Sequence, residues 1–169
     1  MGPPAGKYLH ECHAMTLDMD SPFLFEHVAL LRGSYRHWTG KALLEGEFSP
    51  ADAVRALHEA PFAVVSHDAQ PDPVFSYGNR QALQLFDMAW DEFTALPSRL
   101  SAEPVNQKER YRLLAQVSTR GYSDDYAGIR ISKTGRRFMI RAATVWNLID
   151  GEGRYRGQAA VIREWQPLA

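Results

Sequence analysis

Four groupings of reactive side chains stand out along the chain. His10, Cys12 and His13 are metal-ligating types near the N-terminus, but a structural metal site needs further ligands at a set spacing, and Cys12 is the only cysteine. Ser66-His67-Asp68 has the membership of a nucleophile, a base and an orienting acid. Consecutive residues of a strand point to alternate faces, so no nucleophile–base contact arises within that run. Asp124-Asp125 fails as a paired-carboxylate site for the same reason, and one of the two is expected to meet solvent or Arg130. Gly151-Glu-Gly153 reads as a hairpin, whereas a phosphate-cradling loop joins a strand to a helix. The sequence therefore argues for no catalytic residues and no metal.

Charge is unevenly spread. Residues 1–103 carry 14 acids and 7 bases, and residues 104–169 carry 6 acids and 12 bases, which together leave a net charge of −1. Arg130, Lys133, Arg136, Arg137 and Arg141 follow one another with no acid between them. Such a stripe is one footprint of nucleic-acid binding. The overall charge lacks the basicity of that class, so the stripe is expected to be a solvated strand pair complemented by the acidic half. Arg99, held between Pro97 and Leu100, is expected to pin its loop through a carboxylate, with an anionic ligand as the alternative.

These residues must be positioned by one domain. The chain has 169 residues, of which 45% are hydrophobic and 23% charged, enough to close a single core and unlike a disordered chain. No apolar run approaches the length of about 18 residues that a membrane span requires, and the N-terminus has no signal-peptide core. A single cysteine fits a reducing compartment, so a cytoplasmic location is expected.

Residues 1–20 read as a flexible tail, 21–58 as an N-terminal helical segment and 59–169 as the main domain. Ser21-Pro22 opens a helix whose apolar residues Leu24, Val28, Leu31, Tyr35, Trp38 and Ala42 recur at steps of 4, 3, 4, 3 and 4. That seam either docks on the domain's own sheet or pairs with the same helix of a second chain; Leu24, Val28, Leu31, Tyr35 and Trp38 are the candidate homodimer seam. A second helix starts at Ser49-Pro50. Strands follow over 61–66 and 74–77, and Asn79 caps a helix over 80–86. Asp91 is expected to cap a short turn and Asn106 to open a longer helix that presents Tyr111, Leu114, Val117 and Ser118 and stops at Gly121. Lys133-Thr-Gly135 and Asp150-Gly151 turn three strands over 122–132, 136–148 and 155–165 into hairpins. In the second of these, strict alternation puts Phe138, Ile140, Ala142, Thr144, Trp146 and Leu148 on the core face. The result is an α+β fold with a five-stranded antiparallel sheet, short crossover helices and an N-terminal amphipathic helix.

The element order is that of the PAS fold, and several segments resemble the MEKHLA domain, a PAS-like family of small bacterial proteins that also closes plant class III homeodomain–leucine-zipper regulators. They are Ala60-Pro-Phe-Ala-Val-Val-Ser-His67, Asp72-Pro-Val-Phe-Ser-Tyr-Gly-Asn-Arg-Gln-Ala-Leu-Gln-Leu-Phe86, Leu96-Pro-Ser-Arg-Leu-Ser-Ala-Glu-Pro104, Gly128-Ile-Arg-Ile-Ser132, Ala143-Thr-Val-Trp-Asn-Leu148 and Gly157-Gln-Ala-Ala160. The resemblance spans most of residues 21–165 and implies a sensing or interaction module.

PAS-like domains often sense through a cofactor. Cysteinyl-flavin chemistry needs a thiol in the crossover, where this chain offers Ser98 and Ser101, and haem ligation commonly uses a histidine on the long crossover helix, which has none. Neither is expected, and the cofactor stays unknown. The expected function is a non-enzymatic PAS-like sensory or interaction domain that binds a small ligand or a protein partner, signals in trans and forms a homodimer. A small enzyme or a flavin-binding protein using the same cavity is the alternative. The candidate pocket wall is Phe62, Val64, Phe75, Tyr77, Leu85, Leu96, Leu114, Thr144 and Trp146, with Asn147, Gln158 and Arg99 as candidate polar members.

Overall fold

The structure, a computed structural model, describes residues 17–169. His10, Cys12, His13 and most of the expected tail lie outside the described residues.

The helices that follow Ser21, Ser49 and Asn79 begin where a short polar side chain satisfies a free N–H group. Helix α1 (Pro22–Thr39) starts at Ser21, whose Oγ accepts from Leu24 N, and Pro22 supplies a first residue that needs no donor. It stops at Gly40, which takes φ +73° and donates its N–H to Arg36 O, so Ala42 falls beyond the helix that the apolar spacing extended to it. Helix α2 (Pro50–His58) repeats the device at Ser49-Pro50. After β1 (Ala63–His67) and β2 (Phe75–Gly78), Asn79 caps α3 (Arg80–Phe86). Helix α4 (Trp90–Phe93) is capped at Ala89, with Glu92 reaching back to its N–H, rather than at Asp91. A 3-10 turn (Ser98–Ser101) leads to α5 (Pro104–Arg120). That helix begins two residues before Asn106 because Pro104 occupies its first position. Tyr111 on α5 is 77% exposed, so it does not share the buried side of Val117.

Strands β3 (Tyr122–Ile131), β4 (Arg137–Ile149), β5 (Tyr155–Ile162) and β6 (Glu164–Pro167) complete an antiparallel sheet of order β2-β1-β5-β4-β3, with β6 paired to β4. The expected last strand is thus two pieces on one edge of β4: β5 pairs with residues 144–149 and β6 with 138–141. No helix among the described residues is long and apolar enough to cross a membrane.

Strand β4 is not a simple alternation. Between the pairs Gly128↔Ile140 and Tyr126↔Ala143 it carries one residue more than β3, and Ala142 takes φ +48°. This bulge shifts every later side chain to the opposite face. Phe138 and Ile140 therefore share a face with Ala143 and Val145, against Phe75, Phe86, Phe93 and Val117 of the crossover side. Trp146 and Leu148 join the other layer, under α1 and α2, with Leu24, Val28, Leu31, Tyr35, Leu57 and Val64. Trp146 is fully buried there, edge-on to Tyr35 at 4.9 Å between ring centroids.

The helical seam is consumed in the same way. Leu24, Val28, Leu31 and Tyr35 are at most 5% exposed within a single copy, and Trp38 donates from Nε1 to Asn147 O. The five residues drawn as a candidate homodimer seam thus pack on the chain's own sheet, where an apolar stripe and an uncovered sheet face satisfy each other.

Candidate functional site

Asn79 shows how tightly the sequence ties the crossover to the sheet. Its Oδ1 accepts from Ala82 N and Val64 N, while Nδ2 donates to Leu57 O and Phe62 O. One fully buried amide thus closes the start of α3, the end of α2 and the edge of β1.

Between the sheet and the crossover elements lies a cavity of about 60 Å³. Phe75, Phe86, Ile140, Val145 and Leu114 line its apolar part. His67, Ser101, Arg110, Tyr126, Arg130 and Gln158 bring polar side chains to the same space. Gln158 Nε2 donates to Leu114 O and to Asn147 Oδ1, and Asn147 Nδ2 donates to Ser118 O, so the two amides tie β4 and β5 to α5. His67 Nδ1 donates to Asp68 O, and burial pushes this imidazole below its ordinary value, which keeps it neutral.

Arg130 is the unexpected member. It is 5% exposed, donates to Ile129 O and Tyr126 Oη, and lies over the Tyr126 ring. Gly128 makes the space: a Cβ there would sit 2.8 Å from Nη1 of Arg130. Burial holds this guanidinium below its usual range and pushes Arg110 down to about 10, with the charge of Arg130 adding to the effect on Arg110.

Of the residues named from the sequence, Phe75, Leu114 and Gln158 line the cavity, and Asn147 supports Gln158 from behind. Trp146, Val64 and Tyr77 belong to the layer under α1, and the bulge at Ala142 puts Thr144 on the face of Trp146. Phe62 packs against that layer beneath Arg163. Leu85 and Leu96 lie in the crossover core without bordering the cavity. Arg99 lies on the surface, its Nε 3.2 Å from Asp72 Oδ1. Arg110, Arg130 and Tyr126 were missed. Tyr126, Gly128 and Arg130 alternate along β3, a glycine between an aromatic and a cation, and that spacing was the available signal.

The basic stripe divides. Arg136 pairs with Asp87, Arg137 with Glu103 and Lys133 with Glu92, so the β3–β4 hairpin is clasped to the acidic crossover. The Arg136 guanidinium and the Thr134 hydroxyl hold the Asp87 carboxyl well below the usual carboxylate range. Asp124 and Asp125 are exposed, and Ser123 donates to Asp125 Oδ1, while Arg130 turns inward to Tyr126.

Ser66 contacts not His67 but His27 of α1, with Nε2 and Oγ 2.8 Å apart, and its Oγ also meets Ser76 Oγ. The length suits a nucleophile and its base, but Ser66 is 1% exposed beneath α1. The charge that acts on His27 is Arg156, where a catalytic histidine has a carboxylate.

The MEKHLA domain model matches residues 25–167. No curated protein matches the chain. Similar solved structures include the PAS domain of a protein from Colwellia psychrerythraea, at 14% identity over 65% of this chain and 91% of that one, TM-score 0.57. The dark structure of the Aureochrome1 light-oxygen-voltage (LOV) domain aligns at 21% identity over 76% and 89%, TM-score 0.53. The light-state dimer of the fungal blue-light photoreceptor Vivid aligns at 14% identity over 88% and 100%, TM-score 0.60. At these identities the likeness is one of fold. A flavin does not fit this cavity as packed, since about 60 Å³ falls far short of the roughly 300 Å³ at which sites for drug-sized ligands begin. The only thiol, Cys12, precedes α1 in the chain.

Proposed function

Because the chain belongs to the MEKHLA domain family and has a PAS-like fold, we propose that it is a non-enzymatic sensory module that takes a small ligand between its sheet and its crossover helices. The observation that carries this reading is the mainly apolar cavity, with polar side chains at part of its wall, that β1 borders. On β1, Val65 and His67 face the cavity side, while Ser66 holds His27 of α1. A ligand that moves β1 therefore changes how α1 sits, and a close-packed layer responds by exchanging between discrete arrangements. Self-association, for which the Vivid dimer is the precedent, has the outer face of α1 around Phe23, 53% exposed, available to it.

The test is a ¹⁵N NMR screen of fragment-sized molecules on the wild-type chain and on Ala143→Leu, whose added carbons enter the cavity from a fully buried position. Binders are expected to move the amides of Val65, Gln158 and His27 in the wild type and to lose that effect in the variant. Fragments that act equally on both proteins, or that move only exposed amides, would overturn the reading.

A further inference from the structure

We propose that the cavity is a carboxylate site: the guanidiniums of Arg110 and Arg130 hold the head of a small organic acid whose short apolar body lies against Phe75, Phe86, Ile140 and Val145. The proposal rests on the cavity being a ligand site and names the chemical class of that ligand.

The argument begins with charge. On the surface, Arg80, Arg99, Arg136 and Arg137 each meet a carboxylate. Among the described residues, neither Arg110 nor Arg130 forms an ion pair. The acid beside them in sequence, Glu109, is exposed and forms no ion pair with either, although its charge reaches Arg130 from beyond ion-pair distance and favours the cation. Two guanidiniums border one small space, and the charge of Arg130 disfavours that of Arg110. The groups that bond Arg130, Ile129 O and Tyr126 Oη, satisfy donors without supplying negative charge. A desolvated cation whose bonded partners are neutral is costly, and the attraction of an anion from outside offsets that cost and the repulsion between the two arginines. Arginine forks suit the two oxygens of a carboxylate.

The rest of the wall selects the body of the ligand. The neutral His67 adds no third charge, and the aromatic and aliphatic side chains leave no polar partner for a sugar or a nucleotide base on their side. By a measure in which one water needs about 10–15 Å³, the cavity takes several solvent-sized groups, the size of a short-chain acid.

The experiment is isothermal titration of the full chain with butyrate, with its neutral counterpart butyramide and with inorganic phosphate, paired with ¹⁵N spectra. Butyrate is expected to bind at least roughly tenfold more tightly than butyramide, the ratio that a charged hydrogen-bonded pair supplies. Arg110→Gln and Arg130→Gln should each remove most of that difference. Arg110 is partly exposed on a helix, so its variant carries the test if Arg130→Gln does not fold. Equal affinity for butyrate and butyramide, or butyrate binding unchanged in Arg110→Gln, would overturn the carboxylate site and leave the sensory cavity standing. Phosphate binding as tightly as butyrate would overturn the role of the apolar wall. If no probe binds and the screen on Ala143→Leu is also blank, the cavity reading falls with it.

Discussion

His27 makes the stability of this protein depend on pH in a calculable way. It lies on the buried side of α1, stacked on Phe23 and bonded to Ser66, with Tyr77 beside it. Burial first, and then the charge of Arg156, push it down to about 4 from 6.5. A histidine whose folded value is depressed takes up its proton more readily in the unfolded chain. The folded state is therefore at full strength above about pH 6.5 and loses stability as the pH falls toward 4. The gap corresponds to about 3 kcal/mol in full, of which about 2 kcal/mol is lost by pH 5. Urea unfolding of the wild type and of His27→Gln at pH 7.5, 6 and 5 isolates this contribution. Glutamine keeps a polar group within reach of Ser66 and does not titrate. The carboxylates, and the buried His67 that shifts in the same direction, are common to both proteins and cancel in the difference. The variant is expected to gain about 2 kcal/mol on the wild type between pH 7.5 and 5. A difference that stays flat over that range would refute the account of a neutral, desolvated imidazole.

Trp146→Ala removes a fully buried ring that meets Tyr35, and should cost about 3–5 kcal/mol by chemical denaturation; a loss below about 1 kcal/mol would take this ring out of the core. At the exposed Ala142, φ +48° suits glycine and opposes a β-branched side chain, so Ala142→Gly should be tolerated while Ala142→Val loses at least about 1 kcal/mol in the same assay. Deleting residues 1–45 removes α1 from above Trp146, Leu148 and Val161, and is expected to give aggregates or a poorly dispersed ¹⁵N spectrum. A well-dispersed monomer after that deletion would show that the sheet does not need α1.

The sequence alone determined what short-range chemistry decides. Ser21-Pro22, Ser49-Pro50, Asn79 and Gly121 mark helix ends because the capping partners lie within a few residues. Gly135 and the Asp150–Gly153 turn mark the hairpins because their backbones need positive φ close at hand. With the order of elements they settle the α+β class. The contents of the cavity depend on contacts between distant residues. One extra residue in β4 is invisible in a period-two pattern, since its only consequence is which face Val145 and Trp146 reach after Ala142. That single slip sends Trp146 and Thr144 away from the site and brings Ala143 and Val145 to it. Arg130 belongs by composition to a surface stripe. Only packing turns it inward, because the opening over Gly128, the hydroxyl of Tyr126 and the approach of α5 with Arg110 come together in space and not in the chain.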